Sequence, residues 1–200
     1  MRARRSIGMT SVVGAILAGG QSRRFGSDKA LAAYAGQALI EHVIAALRSQ
    51  CAAVIVCGRS SDGLEATGIQ AIPDRPAPHL GPLGGLNAAL HYAQSHGYSH
   101  VLTAGCDTPR LPPDLLHQLT APSPAFVRDL PVIGLWPVDL ADALDQQLAG
   151  SADRSIGRWA RSIGAEPVDL AAAVPNINTP GDLRALVAEP VAGEDGAERG

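Results

Sequence analysis

The first strong pattern along the chain is Val12 to Leu17, an apolar run rich in β-branched residues that stops at Gly19-Gly20. Such a run, with no polar interruption, predicts a strand covered on both faces that feeds a glycine loop. Leu39, Ile40, Val43, Ile44 and Leu47 then recur at helical spacing. Ala53 to Val56 predicts a second strand, and Gln70 to Ile72 a short third one closed by Pro73. Leu83 to Gln94 predicts a helix entered from Gly81-Pro82. His100 to Ala104 predicts a fourth strand, which runs out at Cys106-Asp107-Thr108-Pro109. Pro112 to Leu119 predicts a helix with proline in its first turn, where a missing N–H costs least. Beyond Thr120 the pattern loosens. Ala125 to Val127 and Val132 to Leu135 are strand candidates, Leu140 to Leu148 and Ser155 to Ser162 helix candidates. Pro180 to Val187 predicts a last helix, started near Thr179. Strands alternating with helices predict an α/β fold whose mostly parallel sheet is covered on both faces.

Composition sets the scale. The chain has 200 residues, 46% apolar and 18% charged, which suits one domain with a single core and argues against disorder. The domain is expected over residues 12–188. Residues 1–11 are expected to be a mobile N-terminal extension, and residues 189–200, rich in Gly, Ala and Glu, a disordered tail. Arg2, Arg4 and Arg5 ahead of the first apolar run imitate a signal peptide, but the run is short and Arg23 and Arg24 follow it closely. No apolar stretch is long enough to span a membrane as a helix. A net charge of −3 gives no global attraction to nucleic acid or to an anionic membrane, so phosphate binding requires a local site. Cys51, Cys57 and Cys106 match neither a paired zinc motif nor a disulfide framework, and they read as reduced thiols of a cytoplasmic protein.

Open α/β sheets bind ligands beyond the carboxyl ends of their strands. Three informative clusters fall there: Gly19-Gly20, Asp74 and Asp107. The first belongs to Leu17-Ala18-Gly19-Gly20-Gln21-Ser22-Arg23-Arg24-Phe25-Gly26-Ser27-Asp28-Lys29. Its glycines let backbone N–H groups approach phosphate oxygens, while two arginines and a lysine add positive charge. The segment lacks the Gly-Lys-Ser/Thr of a Walker loop and the spacing of a dinucleotide fingerprint. Asp107, at a buried strand end, suits Mg²⁺, which takes oxygen ligands and often needs only one or two protein carboxylates beside substrate phosphates. Gly81-Pro82-Leu83-Gly84-Gly85 offers small residues against which a base or ribose can lie. In Asn176-Ile177-Asn178-Thr179-Pro180 the two asparagines face one side of an extended segment, and Thr179 and Pro180 also suit a helix start. The six histidines show no metal-ligand spacing.

The first segment resembles the signature of nucleotidyltransferases, with Phe25 where methionine is usual. Two glycines after alanine, together with Arg24, Asp28 and Lys29, resemble the molybdenum cofactor guanylyltransferases. The segments at Gly81, Cys106 and Asn176 are similar to that family's, in the same order. The likeness runs from about Val12 to about Leu186. It implies a Rossmann-like three-layer nucleotidyltransferase fold and transfer of GMP from GTP to the phosphate of molybdopterin, with pyrophosphate released. It further implies that Leu17, Ala18, Gly19, Lys29, Cys57, Asp74 and Asp107 form the GTP site, with Mg²⁺ on Asp107. Lys29, Asp107 and Arg24 would be catalytic, and Asn176 and Asn178 would face the pterin substrate. Molybdoenzymes or cofactor-delivery proteins would receive the product.

Two departures from the family pattern stand out. Cys57 occupies a position where asparagine is frequent, and Leu130-Pro131 replaces His-Pro at the end of a shortened segment from Ala125 to Leu135. Two competing readings remain at this stage. One is a molybdopterin cytidylyltransferase or another sugar or cofactor nucleotidyltransferase of the same fold. Gly19 speaks against it, since many cytidylyl enzymes carry alanine there. The other is a non-catalytic GTP-binding or cofactor-carrying module, for which a metal carboxylate such as Asp107 would be superfluous.

Overall fold

A computed structural model describes residues 11–19, 29–120 and 123–188. Strand β1 (Val12–Leu17) is buried along its whole length, as an uninterrupted apolar run requires. A small hairpin, β2 (Ala33–Tyr34) and β3 (Gln37–Ala38), follows, turning through Ala35 and Gly36 with φ of 46° and 82°. Helix α1 (Leu39–Arg48) begins where the Glu41 carboxylate accepts the Ala38 N–H at 2.7 Å. Next come β4 (Ala53–Cys57), β5 (Gln70–Ile72), α2 (Pro82–Ser95) and β6 (His100–Gly105). The second half comprises α3 (Leu115–Leu119), β7 (Ala125–Val127), β8 (Leu130–Pro137), α4 (Ala141–Gly150), α5 (Ile156–Ser162), β9 (Glu166–Val168) and α6 (Pro180–Ala188).

Seven strands form one sheet in the order β5-β4-β1-β6-β8-β7-β9. β5, β4, β1 and β6 run parallel, β8 is antiparallel to both neighbours, and β7 pairs parallel with β9. Alternate side chains of β1 supply two cores. Val13, Ala15 and Leu17 pack with the apolar residues of α2, α4 and α5, while Val12 and Ile16 pack with those of α1 and α3. The result is the expected three-layer α/β sandwich with a mostly parallel sheet.

The differences from the sequence reading lie in the second half. β8 is eight residues long rather than the four from Val132 to Leu135. Pro131 sits at its start, before the ladder with β6 begins at Gly134, and there proline withdraws no needed N–H. The helix expected from Pro112 begins at Leu115, after a turn in which the Leu115 N–H reaches the Pro112 carbonyl at 3.2 Å. Among the described residues no helix is long and apolar enough to cross a membrane. Ser11 is the one described residue of the N-terminal extension; the rest of it and the expected tail lie outside the described residues.

Candidate active site

Three parallel strands end in step. Leu17 pairs with Cys57 on one side and with Gly105 on the other. The Ala18 N–H continues the ladder to the Cys57 carbonyl at 2.9 Å, and the Gly58 N–H reaches the Ile72 carbonyl at 3.1 Å. The segments that leave these strands therefore emerge side by side: Asp74 beyond β5, Gly58 beyond β4, Ala18-Gly19 beyond β1 and Asp107 beyond β6.

Asp74 is buried to 9% exposure against a wall of glycines. A Cβ on Gly58 would lie 2.9 Å from its Oδ1, one on Gly19 3.7 Å, one on Gly85 3.6 Å, and one on Gly84 3.1 Å from its carboxyl carbon. Gly58 also has φ of +84°, and a Cβ there would come within 2.8 Å of the Gly19 Cα, so only glycine fits. Asp74 Oδ1 is buried and finds no hydrogen-bond partner among the described residues. Burial raises the Asp74 carboxyl above the usual carboxylate range. The backbone N–H groups of Leu80 and His79 and the His79 charge oppose that rise. A buried acceptor without a partner is costly in a finished structure and apt in a site that receives a donor. Beside it opens a cavity of about 460 Å³, lined by Asp74, Gly58, Arg59, Pro73 and His79 among others. That volume suits a small-molecule ligand.

On the other side of β1, Lys29 Nζ donates to Asp107 Oδ2 at 2.7 Å, with side-chain exposures of 13% and 20%. Lys29 Nζ also lies 3.4 Å from Asn178 Oδ1. The Ile177 N–H donates to the Asp107 carbonyl at 2.9 Å, which ties the asparagine segment to the end of β6. A Cβ on Gly105 would collide with Asp107 Oδ1, so the strand's last residue makes room for the carboxylate. The asparagine segment is fixed in turn by α6. Asp182 Oδ2 accepts the N–H groups of Asn178 and Thr179, each at 2.8 Å, and the Asp182 N–H returns to Thr179 Oγ1 at 3.2 Å. This is a capping box, so the expected helix start and the expected site segment coexist.

Leu17, Ala18, Gly19, Asp74, Lys29, Asp107 and Asn178 therefore share one edge of the sheet. Asn176 lies on the same segment, and its Oδ1 is buried with no partner among the described residues. Arg24 lies outside the described residues, as do Gly20 and Asp28. Cys57 departs from its expected place. Its side chain is fully buried in the core with Leu17 and Leu83, so it backs the site and does not line it. Burial, and secondarily the Asp74 charge, pushes the Cys57 thiol far up. Asp182 and Arg110 were not among the expected site residues, although Thr179-Pro180-Gly181-Asp182 carries a capping-box spacing. Arg110 donates to the Tyr34 hydroxyl at 2.8 Å and to the Leu186 carbonyl at 2.9 Å, clamping α6 and the β2–β3 hairpin beside the site. Gly58 was not among the expected site residues either.

The donor set is of the hard, oxygen-only kind that suits Mg²⁺. Asp107 offers carboxylate oxygens at the strand end, and the described residues hold no group of three or more His, Cys, Asp or Glu able to cage a metal. A cation held there takes its other ligands from phosphates and water.

Comparison with known proteins bears on the family and the fold. The model of the MobA-like NTP transferase domain matches residues 14–166. The chain is 38% identical over 178 residues to the molybdenum cofactor guanylyltransferase of Rhodobacter capsulatus, covering 86% of this chain and 93% of that one. It is 36% identical over 182 residues to that of Acidiphilium cryptum, covering 86% and 92%. Among solved structures, molybdopterin-guanine dinucleotide biosynthesis protein A from Archaeoglobus fulgidus superposes with a TM-score of 0.66 at 23% identity, covering 86% of this chain and 95% of that one. A 4-diphosphocytidyl-2C-methyl-D-erythritol synthase shares the fold at a TM-score of 0.64 and 11% identity. The extent and identity of these matches decide the family: the chain belongs to the MobA-like NTP transferases, and among them to the molybdenum cofactor guanylyltransferases.

Proposed function

We propose that the protein transfers GMP from GTP to the phosphate of molybdopterin, forming the guanine dinucleotide form of the cofactor and pyrophosphate. The observation that carries this reading is the row of functional groups across the strand order β5-β4-β1-β6. The Asp74 cavity lies beyond β5 and β4, the Ala18-Gly19 turn beyond β1, and Lys29 with Asp107 beyond β6. Three strand spacings separate the ends of that row, about 14 Å. An extended nucleoside triphosphate fits along it, with its base at Asp74 and its phosphates toward Lys29.

The residues then divide the work. Asp74 accepts from the base, and the backbone of Leu17, Ala18 and Gly19 lets the nucleotide lie close to the strand ends. Lys29, with Arg24 from the same loop, neutralises phosphate charge as an oxygen of the molybdopterin phosphate attacks the α-phosphorus and the bond to the β-phosphate oxygen breaks. Asn176 and Asn178 hold the attacking substrate on the far side of Lys29. Mg²⁺, held by Asp107 and the phosphates, would supply further charge neutralisation in the transition state. No protein nucleophile is needed, because the substrate phosphate is one already; positioning and electrostatics suffice. Cys51, Cys57 and Cys106 form no disulfide with one another, which supports a reaction in the reducing cytoplasm, and molybdoenzymes or cofactor-delivery proteins are the proposed recipients.

The test is incubation with molybdopterin (with and without molybdate), Mg²⁺ and each nucleoside triphosphate in turn, followed by product mass. A GMP adduct formed from GTP is the expected result. A CMP adduct from CTP would move the protein to cytidylyl transfer, and absence of any adduct would leave only a binding role.

A further inference from the structure

Asn178 stands where the site has least regular structure, since residues 173–178 belong to no helix or strand. Yet its Oδ1 lies 3.4 Å from Lys29 Nζ, the same ammonium that donates to Asp107 Oδ2 at 2.7 Å. A lysine ammonium is a point charge on a flexible four-carbon stem, with three rotatable donors. Two acceptors fix such a group only if both are themselves fixed. Asp107 leaves the end of a buried strand, so its place is set by the sheet. Asn178 has to borrow its rigidity.

Two consecutive N–H groups supply it. The Ile177 N–H donates to the Asp107 carbonyl at 2.9 Å, and the Asn178 N–H donates to Asp182 Oδ2 at 2.8 Å. The Ile177 side chain is buried with Tyr34, Leu39 and Leu186, which anchors the segment from beneath. The bond from Asn178 exceeds what a helix cap needs. In a capping box the side chain at the third helical position takes the N–H of the cap residue, here Thr179, and the cap hydroxyl takes the N–H in return. Asp182 Oδ2 takes that N–H and also the one before it, at the same 2.8 Å. The Asn178 N–H and then the Thr179 N–H hold the Asp182 carboxyl below the usual carboxylate range, and the Lys29 charge adds to this. Both bonds are therefore made to an ionised oxygen at neutral pH, which strengthens them.

We infer that Asp182 is a positioning residue for the transfer: through the Asn178 backbone it sets the Asn178 amide, and through that amide the Lys29 ammonium. The inference rests on the guanylyl-transfer reading and adds to it a carboxylate that acts without touching substrate.

The experiment measures guanylyl transfer at varied GTP and at varied molybdopterin, with a thermal melt and circular dichroism of each protein. The proteins are the wild type, Asp182→Ala, Asp182→Asn, Thr179→Ala, Asn178→Ala and the double variant Asn178→Ala/Asp182→Ala. Asp182→Ala should lower kcat about 10-fold, the scale of one charge-assisted hydrogen bond. It should raise the KM for molybdopterin and leave the KM for GTP within about 2-fold. Asp182→Asn, which keeps an acceptor oxygen, should recover most of the lost turnover. Thr179→Ala removes the cap hydroxyl and leaves both N–H bonds to Asp182. It should lower the melting temperature as Asp182→Ala does, with kcat and both KM values within about 2-fold of wild type. In the Asn178→Ala background, Asp182→Ala should cost no further turnover, because the residue through which it acts is gone. A wild-type kcat in Asp182→Ala would overturn the inference and leave Asp182 a helix cap only. So would an equal kinetic loss in Thr179→Ala, or a further 10-fold loss in the double variant. A wild type that forms no GMP adduct would remove the guanylyl-transfer reading, and the inference falls with it; an active wild type beside an unimpaired Asp182→Ala removes the inference alone.

Discussion

Asp107 and Lys29 are held 2.7 Å apart by a strand end and a short turn, so the charge proposed to handle the phosphates is set before substrate arrives. Asp107→Asn keeps the shape and removes the charge. It should leave the fold intact and cut turnover at least ~100-fold, the scale of losing a charge-stabilising group. Lys29→Ala serves the same transition state, so the double variant should lose less than the sum of the two. Guanylyl-transfer rates of the three proteins, with circular dichroism, check this; near-normal turnover in folded Asp107→Asn would remove the metal role. Gly58 makes a different demand. With φ of +84° and a Cβ that would meet Gly19 and Asp74, Gly58→Ala should cost at least about 2 kcal/mol in urea unfolding and weaken GTP binding as well. Cys57 is the contrast. Because its thiol is buried behind the site, Cys57→Ser should cost about 1–3 kcal/mol by burying a hydroxyl. The KM for GTP should stay within about 2-fold of wild type, as expected for a change that touches no ligand group. A collapse of activity in folded Cys57→Ser would show that the thiol touches the nucleotide.

Between elements, polar bridges set the helices that frame the site. Asn87, wholly buried on α2, donates to Asp145 Oδ1 on α4 at 2.7 Å, and His91 on α2 lies 2.9 Å from Asp145 Oδ2. Helix α2 also carries Gly84 and Gly85, so this bridge holds the wall against which Asp74 rests. Burial pushes the Asp145 carboxyl up, but the Asn87 amide, the His91 ring and the Arg75 charge together bring it below the usual carboxylate range. The folded chain thus binds that proton less readily than the unfolded one. The bridge's stabilisation is complete above about pH 4 and is lost as pH falls through the lower folded value. Asp145→Ala, which strands the buried amide, should cost about 1–2 kcal/mol at pH 7. The gap to wild type in urea unfolding should narrow below about pH 4; a gap that does not change with pH would remove the bridge from the account. At this scale the sequence was a good guide where one periodicity dominated. β1, α1, α2 and β6 were legible because burial on one or both faces leaves a plain apolar pattern. The β2–β3 hairpin was not, because strands of two residues carry no period and Ala35-Gly36 is a weak turn signal. β9 was missed for the same reason, with Pro167 in the middle of three residues at the sheet's edge. Among site residues, Asp74, Asp107 and Asn178 were legible at strand ends and in one short motif. The Arg110 clamp was not, since it depends on where the chain returns in space, and the Asp182 cap, though local, was passed over in the Thr179-Pro180-Gly181-Asp182 spacing.

At the scale of the whole molecule, the edge that ends β5, β4, β1 and β6 is where binding energy enters the fold. Those four strands carry the central core, so a ligand spanning their ends ties Asp74 to Asp107 across the sheet and stabilises the folded chain by linkage. At 100 times its Kd a nucleotide adds about 2.7 kcal/mol. For a domain of this size each kcal/mol raises the melting temperature by about 2–4 °C, so GTP with Mg²⁺ should raise it by about 5–10 °C. ATP and CTP lack the guanine donors proposed to meet Asp74, and at the same concentration they should give clearly smaller shifts. The proposed Mg²⁺ role separates the two ends of the site. Leaving out Mg²⁺ should reduce the GTP shift in the wild type, and the same omission should make little difference in Asp107→Asn, which has lost the carboxylate. Asp74→Asn should do the reverse, keeping the Mg²⁺ increment while narrowing the gap between GTP and ATP. A thermal melt of the three proteins against each nucleotide, with and without Mg²⁺, reads all of these at once. Equal shifts for GTP, ATP and CTP in the wild type would sink the guanine assignment, and an undiminished Mg²⁺ increment in Asp107→Asn would place the metal elsewhere.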